Sequence, residues 1–334
     1  MASKRNRTPK DESELVVALK FIKAAQNDDG HAEYMKHCYF QDGQVVAFDG
    51  VLAAGYPVSE IMNACPRTSL LINALERVRG AYSMTQLDNA SLVINSGAYR
   101  VNVPCEVNNM FPVQPDEPLY DIGDSFKEAA EKAATFCTDG AQTVLQASII
   151  TLANSLAGTD NAVIIEAWHG WGMPSGLLIP VSFVNALKKI EHKLVKFGWT
   201  PDRSLTFYFE NGAWLRTQLY QEPVPDIAAY LSKVEMSGCI PFPADFFTAL
   251  DAVQQHAAGN SIFIRDNTVC SHEVDELGAQ YKCDGLPFTC VFNKKLMNKL
   301  RTIMENADFT RYPDRIVFTG KNVRAVMMKM GRPN

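Results

Sequence analysis

Apolar residues recur along the chain with two periods. At about 11–26, 67–79, 122–137, 181–197, 243–257 and 293–305 they fall at helical spacing. In 181–197, Phe183, Leu187, Ile190, Leu194 and Phe197 stand at i, i+4, i+7, i+11 and i+14, which predicts one apolar helical face. Pro180 and Pro66 precede two of these segments, where proline suits a helix start. Other stretches alternate apolar and polar residues around short turns, the pattern of β-hairpins. Val93–Val101, Phe207–Leu215 and Ile316–Arg324 read as strand, turn and strand around Gly97, Gly212 and Gly320. An earlier hairpin precedes each, turning at Asp42-Gly43, Gly158-Thr159-Asp160 and Asp266-Asn267.

The two kinds of turn keep one spacing. Gly43 to Gly97, Gly158 to Gly212 and Asp266 to Gly320 are each 54 residues apart. Such self-similarity predicts a repeat of helix, hairpin, helix, hairpin, about 110 residues long. The proline-rich stretches Phe111–Pro115 and Pro223–Asp226 place boundaries near 117 and 235. The expected organisation is a flexible tail (1–10) and three domains at 11–117, 118–235 and 236–334. The fold class is α+β: three tandem copies, each with helices on one face of antiparallel sheet. Arcs of such copies, joined head to tail, can close into a ring.

Length and charge sharpen this picture. The 334 residues suffice for two or three cores, and the net charge is −5. Any contact with DNA must therefore be local rather than spread over a basic surface. The candidate helices do concentrate positive charge. Lys188, Lys189, His192, Lys193 and Lys196 lie off the apolar face of 181–197, with Lys189, Lys193 and Lys196 at i, i+4 and i+7. Lys295 and Lys299 lie off the Leu296, Leu300, Ile303 stripe of 293–305. Lys20, Lys23, Arg77 and Arg79 supply the first repeat, and Lys127 stands among the mixed charges of 122–137. Together they predict a track that meets phosphates without reading bases. The track is incomplete, because 243–257 carries Asp245 and Asp251 and no basic residue.

Signs of catalysis are few. Gly170–Gly176 has the wrong spacing for a dinucleotide fingerprint, with Pro174 where the helix would begin. Cys270, His272, Cys283 and Cys290 fit no usual zinc spacing. The eight cysteines include no CxxC and read as thiols of a reducing compartment. The residues argue for a binding protein rather than an enzyme, with no cofactor and no metal.

Several segments resemble one family. Leu92–Val103 followed by Phe111-Pro112, then Ile179-Pro180 with its helix, the 205–217 hairpin and Val224-Pro225-Asp226 follow the layout of bacterial DNA polymerase III β sliding clamps. Phe292-Asn293, the last hairpin and the Met-rich C-terminus continue it, so the resemblance spans essentially the whole chain. It implies a homodimeric ring with helices lining the hole, sequence-independent binding of double-stranded DNA, and tethering of a DNA polymerase. It also implies a loader ATPase and a setting in the bacterial cytoplasm, or in an infected host cell if a bacteriophage encodes the chain. The family's peptide pocket uses a Thr-Asp-Gly-His-Arg-Leu segment, and Trp168–Met173 occupies its expected place here. The implied pocket residues are Thr151, Gly170, Trp171, Met173, Val326, Met328 and Met330, with Lys329 where the family carries proline. Two other readings stay open: a clamp-fold mimic or inhibitor that binds replication proteins, and a small-molecule enzyme using Trp168–Pro174 as a lid.

Overall fold

A computed structural model describes residues 13–60, 62–87, 90–106, 113–274 and 277–331. The expected tail 1–10 and the Phe111-Pro112 pair lie outside the described residues. One order of elements recurs three times. The first copy runs through α1 (Glu14–Ile22), β1 (Tyr39–Gln41), β2 (Gln44–Phe48) and β3 (Leu52–Pro57). It continues with α2 (Thr68–Arg77), β4 (Ser83–Leu87), β5 (Ser91–Ser96) and β6 (Tyr99–Pro104). The second opens with β7 (Tyr120–Asp121), α3 (Ser125–Ala134), α4 (Val144–Ala147), β8 (Ser148–Leu152), β9 (Ser155–Thr159) and β10 (Val163–Trp168). Its later half is β11 (Leu178–Pro180), α5 (Val181–Leu187), β12 (Leu194–Thr200), β13 (Ser204–Phe209) and β14 (Trp214–Gln218). A short helix, α6 (Ile227–Ser232), links it to the third copy, which begins with β15 (Ile240–Pro241), α7 (Phe246–Gln254), β16 (Ser261–Arg265), β17 (Thr268–Cys270) and β18 (Gln280–Lys282). It ends with β19 (Cys290–Asn293), α8 (Lys294–Leu300), β20 (Asn306–Asp308), β21 (Arg315–Gly320) and β22 (Val323–Met328). Each copy is thus richer than two hairpins, because a third strand follows the first hairpin of every copy.

The chain clusters into two compact units. The first takes described residues up to 124 together with 185–219, and the second takes 125–184 and 220 onward. A seven-stranded sheet dominates the first unit, in the order β1-β2-β3-β14-β13-β12-β7, beside a smaller sheet β4-β5-β6. The second unit carries an eight-stranded sheet, β11-β8-β9-β10-β22-β21-β20-β15, and a four-stranded one, β18-β17-β16-β19. Each long sheet therefore joins the first half of one copy to the second half of the next. The seams are antiparallel: β3 pairs with β14 and β10 with β22.

Local chemistry explains the elements. Ser13 caps α1 by accepting from the Val16 N–H, and Leu15, Val16, Ala18, Leu19 and Ile22 bury one helical face. Asn293 caps α8 by accepting from the Lys295 and Leu296 N–H groups. Asp42 and Gly43 both take positive φ, as do Asp266 and Asn267, which suits two-residue hairpin turns. The second copy corrects the expected marker: Gly158 lies inside β9, and the turn falls at Ala153-Asn154. No Cβ fits at Gly158, because the Ala133 carbonyl of α3 occupies its place. Gly320 is likewise the last residue of β21, packed against the Ile303 carbonyl, and Asn322 supplies the positive φ of that turn. The equal 54-residue spacings thus mix turn glycines with close-packing glycines, while the order of elements carries the repeat.

The expected helix 181–197 is also corrected. Helix α5 ends at Leu187 and strand β12 begins at Leu194. The cause is a β-bulge between Leu194 and Lys196 in the pairing of β12 with β13. A bulge adds one residue and breaks the two-residue alternation. Leu194 and Phe197 are both buried although three residues apart, which imitates a helical stripe. Lys189, Lys193 and Lys196 therefore share no helical side.

Candidate functional site

The basic residues divide among several local settings. In the first unit, Lys20 on α1, Lys23 just after it and Lys189 after α5 border one groove of about 690 Å³, with Phe21 and His192 in its lining. Lys20 lies 3.1 Å from Glu76 and Lys23 lies 3.5 Å from Asp28, both as half-exposed pairs. Arg77 and Arg79 are exposed at and beyond the end of α2, and Lys188 and Lys193 are exposed in the segments flanking His192. Lys196 sits on β12, in register with Asp121 of β7, a sheet position rather than a helical one.

In the second unit, Lys295 and Lys299 are exposed on α8. The Lys299 ammonium donates to the Thr135 carbonyl at 3.0 Å, just past the end of α3, and lies 5.4 Å from the Phe136 ring. A cation suits a helix C-terminus, where carbonyls lack partners. Lys127 is half-buried on α3, and Lys132 of the same helix donates to the Lys321 carbonyl. Arg301 holds Asp251 of α7 through two 2.9 Å bonds. The structure thus joins Lys20, Lys23 and Lys189 around one concavity, holds Lys132, Lys299 and Arg301 against local partners, and presents Arg77, Arg79, Lys188, Lys193 and Lys295 on exposed surface elsewhere.

One face of the eight-stranded sheet is apolar. Ile150, Ala157, Leu178, Val317 and Val326 form a cluster there, closed by Ile227 and Leu231 of α6. Leu152, Ile164, Val224, Tyr230 and Tyr312 pack against it while staying partly open. Met328 follows Val326 by two residues, so strand alternation puts it on the same side, 42% exposed. Arg315 edges this face: it grips Asp314, donates to the Tyr230 hydroxyl at 3.0 Å, and lies 5.4 Å from the Tyr312 ring. Its hydrogen bond to Asp314 raises its pKa further above the usual arginine range. Lys329 donates to the Tyr312 carbonyl at 2.7 Å.

The implied pocket residues do not all meet on this face. Val326 and Met328 do. Thr151 alternates with Ile150 and Leu152, so it points to the opposite side of β8, where its hydroxyl donates to the Pro174 carbonyl and accepts from the Leu177 N–H. Trp168 ends β10 on the side of Ile164 and lies 5.2 Å from the Arg324 guanidinium, whereas the loop after it, His169–Met173, belongs to that other neighbourhood. The Trp171 indole donates to Ser125 at the start of α3, and the Met173 N–H donates to the Ala153 carbonyl. Gly170 is an exposed, positive-φ residue of the same loop. His169 within it is buried, and burial holds its imidazole down to a pKa of about 4. Met330 packs instead with Phe263, Cys270 and Val291 of the four-stranded sheet. The segment adjoining Met328 is the turn Thr159-Asp160-Asn161-Ala162, whose Ala162 carbonyl accepts from the Met328 N–H at 2.8 Å. It begins Thr-Asp and places Asn161 at φ 74°, where the family segment has glycine. That Thr-Asp pair was the signal available in the sequence. Leu152, Ile164, Val224 and Tyr230 had none, because strand pairing alone assembles them.

Among the described residues, no group of three or more His, Cys, Asp or Glu side chains is placed to hold a metal ion, and no helix is long and apolar enough to cross a membrane. These sheets, seams and helices define the β-clamp fold. The chain superposes on the DNA polymerase III subunit β of Pseudomonas aeruginosa with a TM-score of 0.76 at 11% identity, covering 95% of this chain and 97% of that one. It matches the β sliding clamp of C. crescentus at 0.75 and 16%, with the same coverages of 95% and 97%. The Helicobacter pylori β clamp bound to a DNA ligase peptide gives 0.74 and 13%, again covering 95% and 97%. No family model and no curated protein matches the sequence.

Proposed function

We propose that this chain is a sliding clamp, a non-enzymatic protein that closes as a homodimeric ring around duplex DNA and tethers a replicative polymerase. The observation that carries the reading is the rule by which the sheets are assembled. Twice, the third strand of one copy pairs with the last strand of the next: β3 with β14, and β10 with β22. The third copy's corresponding strand, β18, lies at the edge of its four-stranded sheet, and the first copy's last strand, β6, lies at the edge of its three-stranded sheet. A second molecule supplies β6 to β18 and β18 to β6, and repeating the seam twice closes a two-fold ring. The three copies then act as domains with boundaries near 117 and 235.

The rest of the molecule suits that role. Basic side chains meet phosphates without reading sequence, so a ring holds DNA by topology and remains free to slide. The apolar face beside Met328 offers an anchor for a short polymerase or loader peptide, with Tyr230, Tyr312 and Arg315 at its edge. Loading onto circular DNA requires an ATPase that opens the ring, in the bacterial cytoplasm or an infected host cell. The test is retention. After loading and a high-salt wash, nicked circular DNA should keep the protein and linear DNA should shed it. Charge reversal of Lys20, Lys189, Lys295 and Lys299 to Glu should lower loading several-fold while leaving the dimer intact. Equal loss from circle and line would refute encirclement.

A further inference from the structure

The groove beside α1 holds more than a row of lysines. Lys20, Lys23 and Lys189 border it, Ile190 contributes an apolar wall, and the rings of Phe21 and His192 line it with centroids 6.2 Å apart. Tyr56 backs both rings, 5.3 Å from Phe21 and 6.1 Å from His192, and Phe209 meets Phe21 edge-on at 5.7 Å. Phe21 and His192 are each only half-buried, so the aromatic stack reaches the groove rather than ending in the core. The volume, about 690 Å³, lies within the range of sites that take small organic molecules.

Duplex DNA offers such a groove phosphate, sugar and base edges, but its base faces are stacked inside the helix. A strand without a partner offers ring faces as well. Basic rims that follow the backbone, together with aromatic rings that take bases, are the features by which proteins hold single strands without sequence preference. We infer that the α1 groove takes an unpaired nucleotide of a DNA single strand, its base against Phe21 and His192 and its phosphates on Lys20, Lys23 and Lys189. This rests on the DNA-encircling reading and adds to it a preference for the place where duplex gives way to single strand. The carboxylates near the lysines do not prevent it. The Lys20–Glu76 and Lys23–Asp28 pairs are solvent-exposed, and such pairs contribute little, so a phosphate can replace either carboxylate. Glu191 is the one acidic residue in the groove's lining, against three lysines.

The test compares two fluorescent decamers of equal charge on the full-length dimer by anisotropy, one of thymidine nucleotides and one abasic throughout. The thymidine strand should bind about fivefold or more tightly, from a stacking contribution on the order of 1 kcal/mol per base. Phe21→Leu, which keeps the apolar volume, and His192→Gln should each shrink that preference several-fold without changing affinity for the abasic strand. Lys20→Gln with Lys23→Gln should weaken both strands alike. Equal binding of the two decamers by the wild type, or a preference that survives in both ring variants, would overturn the inference. Retention on nicked circles is read separately. A protein retained on circles but indifferent to bases loses only this inference, and one with base preference but no retention loses only the clamp reading.

Discussion

Single residues at the two seams meet one packing problem with different chemistry. At the first seam Gly55 faces Trp214 across β3 and β14, and the indole lies where a Cβ would stand while its N–H donates to Gln44 at 3.0 Å. At the second, Glu166 faces Arg324. Glu166 is buried, accepts from Ser155 at 2.6 Å and from Arg324 at 2.7 Å, and the guanidinium lies 5.2 Å from the Trp168 ring. Removing one partner of such a pair strands the other charge away from water. Arg324→Ala should therefore cost about 3 kcal/mol in urea unfolding, whereas the double change Glu166→Leu, Arg324→Met should recover most of it. His169 gives a pH signature. Its folded pKa, about 4, lies below the ordinary 6.5 because burial disfavours the charged ring. Between those values the unfolded chain binds a proton that the folded chain refuses. Its contribution to stability is intact above about pH 6.5 and declines as pH falls toward 4. His169→Gln should flatten the fall of the unfolding midpoint across that window relative to wild type.

Elements depend on how closely backbones approach and on which strand edges stay open. Helix α3 lies against β9 so tightly that the Ala133 carbonyl fills the space of a side chain at Gly158. Gly158→Ala should force the helix away and cost about 2 kcal/mol or more by denaturant midpoint. Gly172→Ala, which meets nothing within 4 Å and has no positive φ, should change stability by less than about 0.5 kcal/mol. Open edges carry the proposed dimer. The Cys283 N–H donates toward β17, to Asn267, and the Cys105 N–H donates toward β5, to Ala90. Alternation then turns the N–H groups of Lys282 and Asn102 outward. Proline lacks that donor, so Lys282→Pro and Asn102→Pro should each shift sedimentation from twice 37.0 kDa toward a single chain without loss of circular dichroism. A dimer unaffected by both would place the interface elsewhere. The bulge in β12 belongs to this scale too. Nothing in Leu194 to Phe197 announces it, because a bulged strand and a helix both bury residues three apart.

For the whole molecule, the sequence by itself determined that helices and hairpins recur three times, but not the extra strand each copy adds or where its second helix ends. Periodicity and turn chemistry are local, so Asp42-Gly43, Asp266-Asn267 and the hairpin around Gly97 could be read without partners. It also determined that positive charge is confined to a few segments of an acidic chain. The tertiary structure alone decided where those segments end and what they adjoin. Lys196 became a strand residue because β13 captured its segment, and Lys20 came beside Lys189 through contacts between residues far apart in sequence. Thr151, Trp171 and Met330 parted from Val326 and Met328 because strand alternation and sheet membership, not distance along the chain, decide which side chains share a face. The seams are of the same kind. Which strand joins β3 or β10 is a property of sheet edges, and an edge exists only once the sheet has formed.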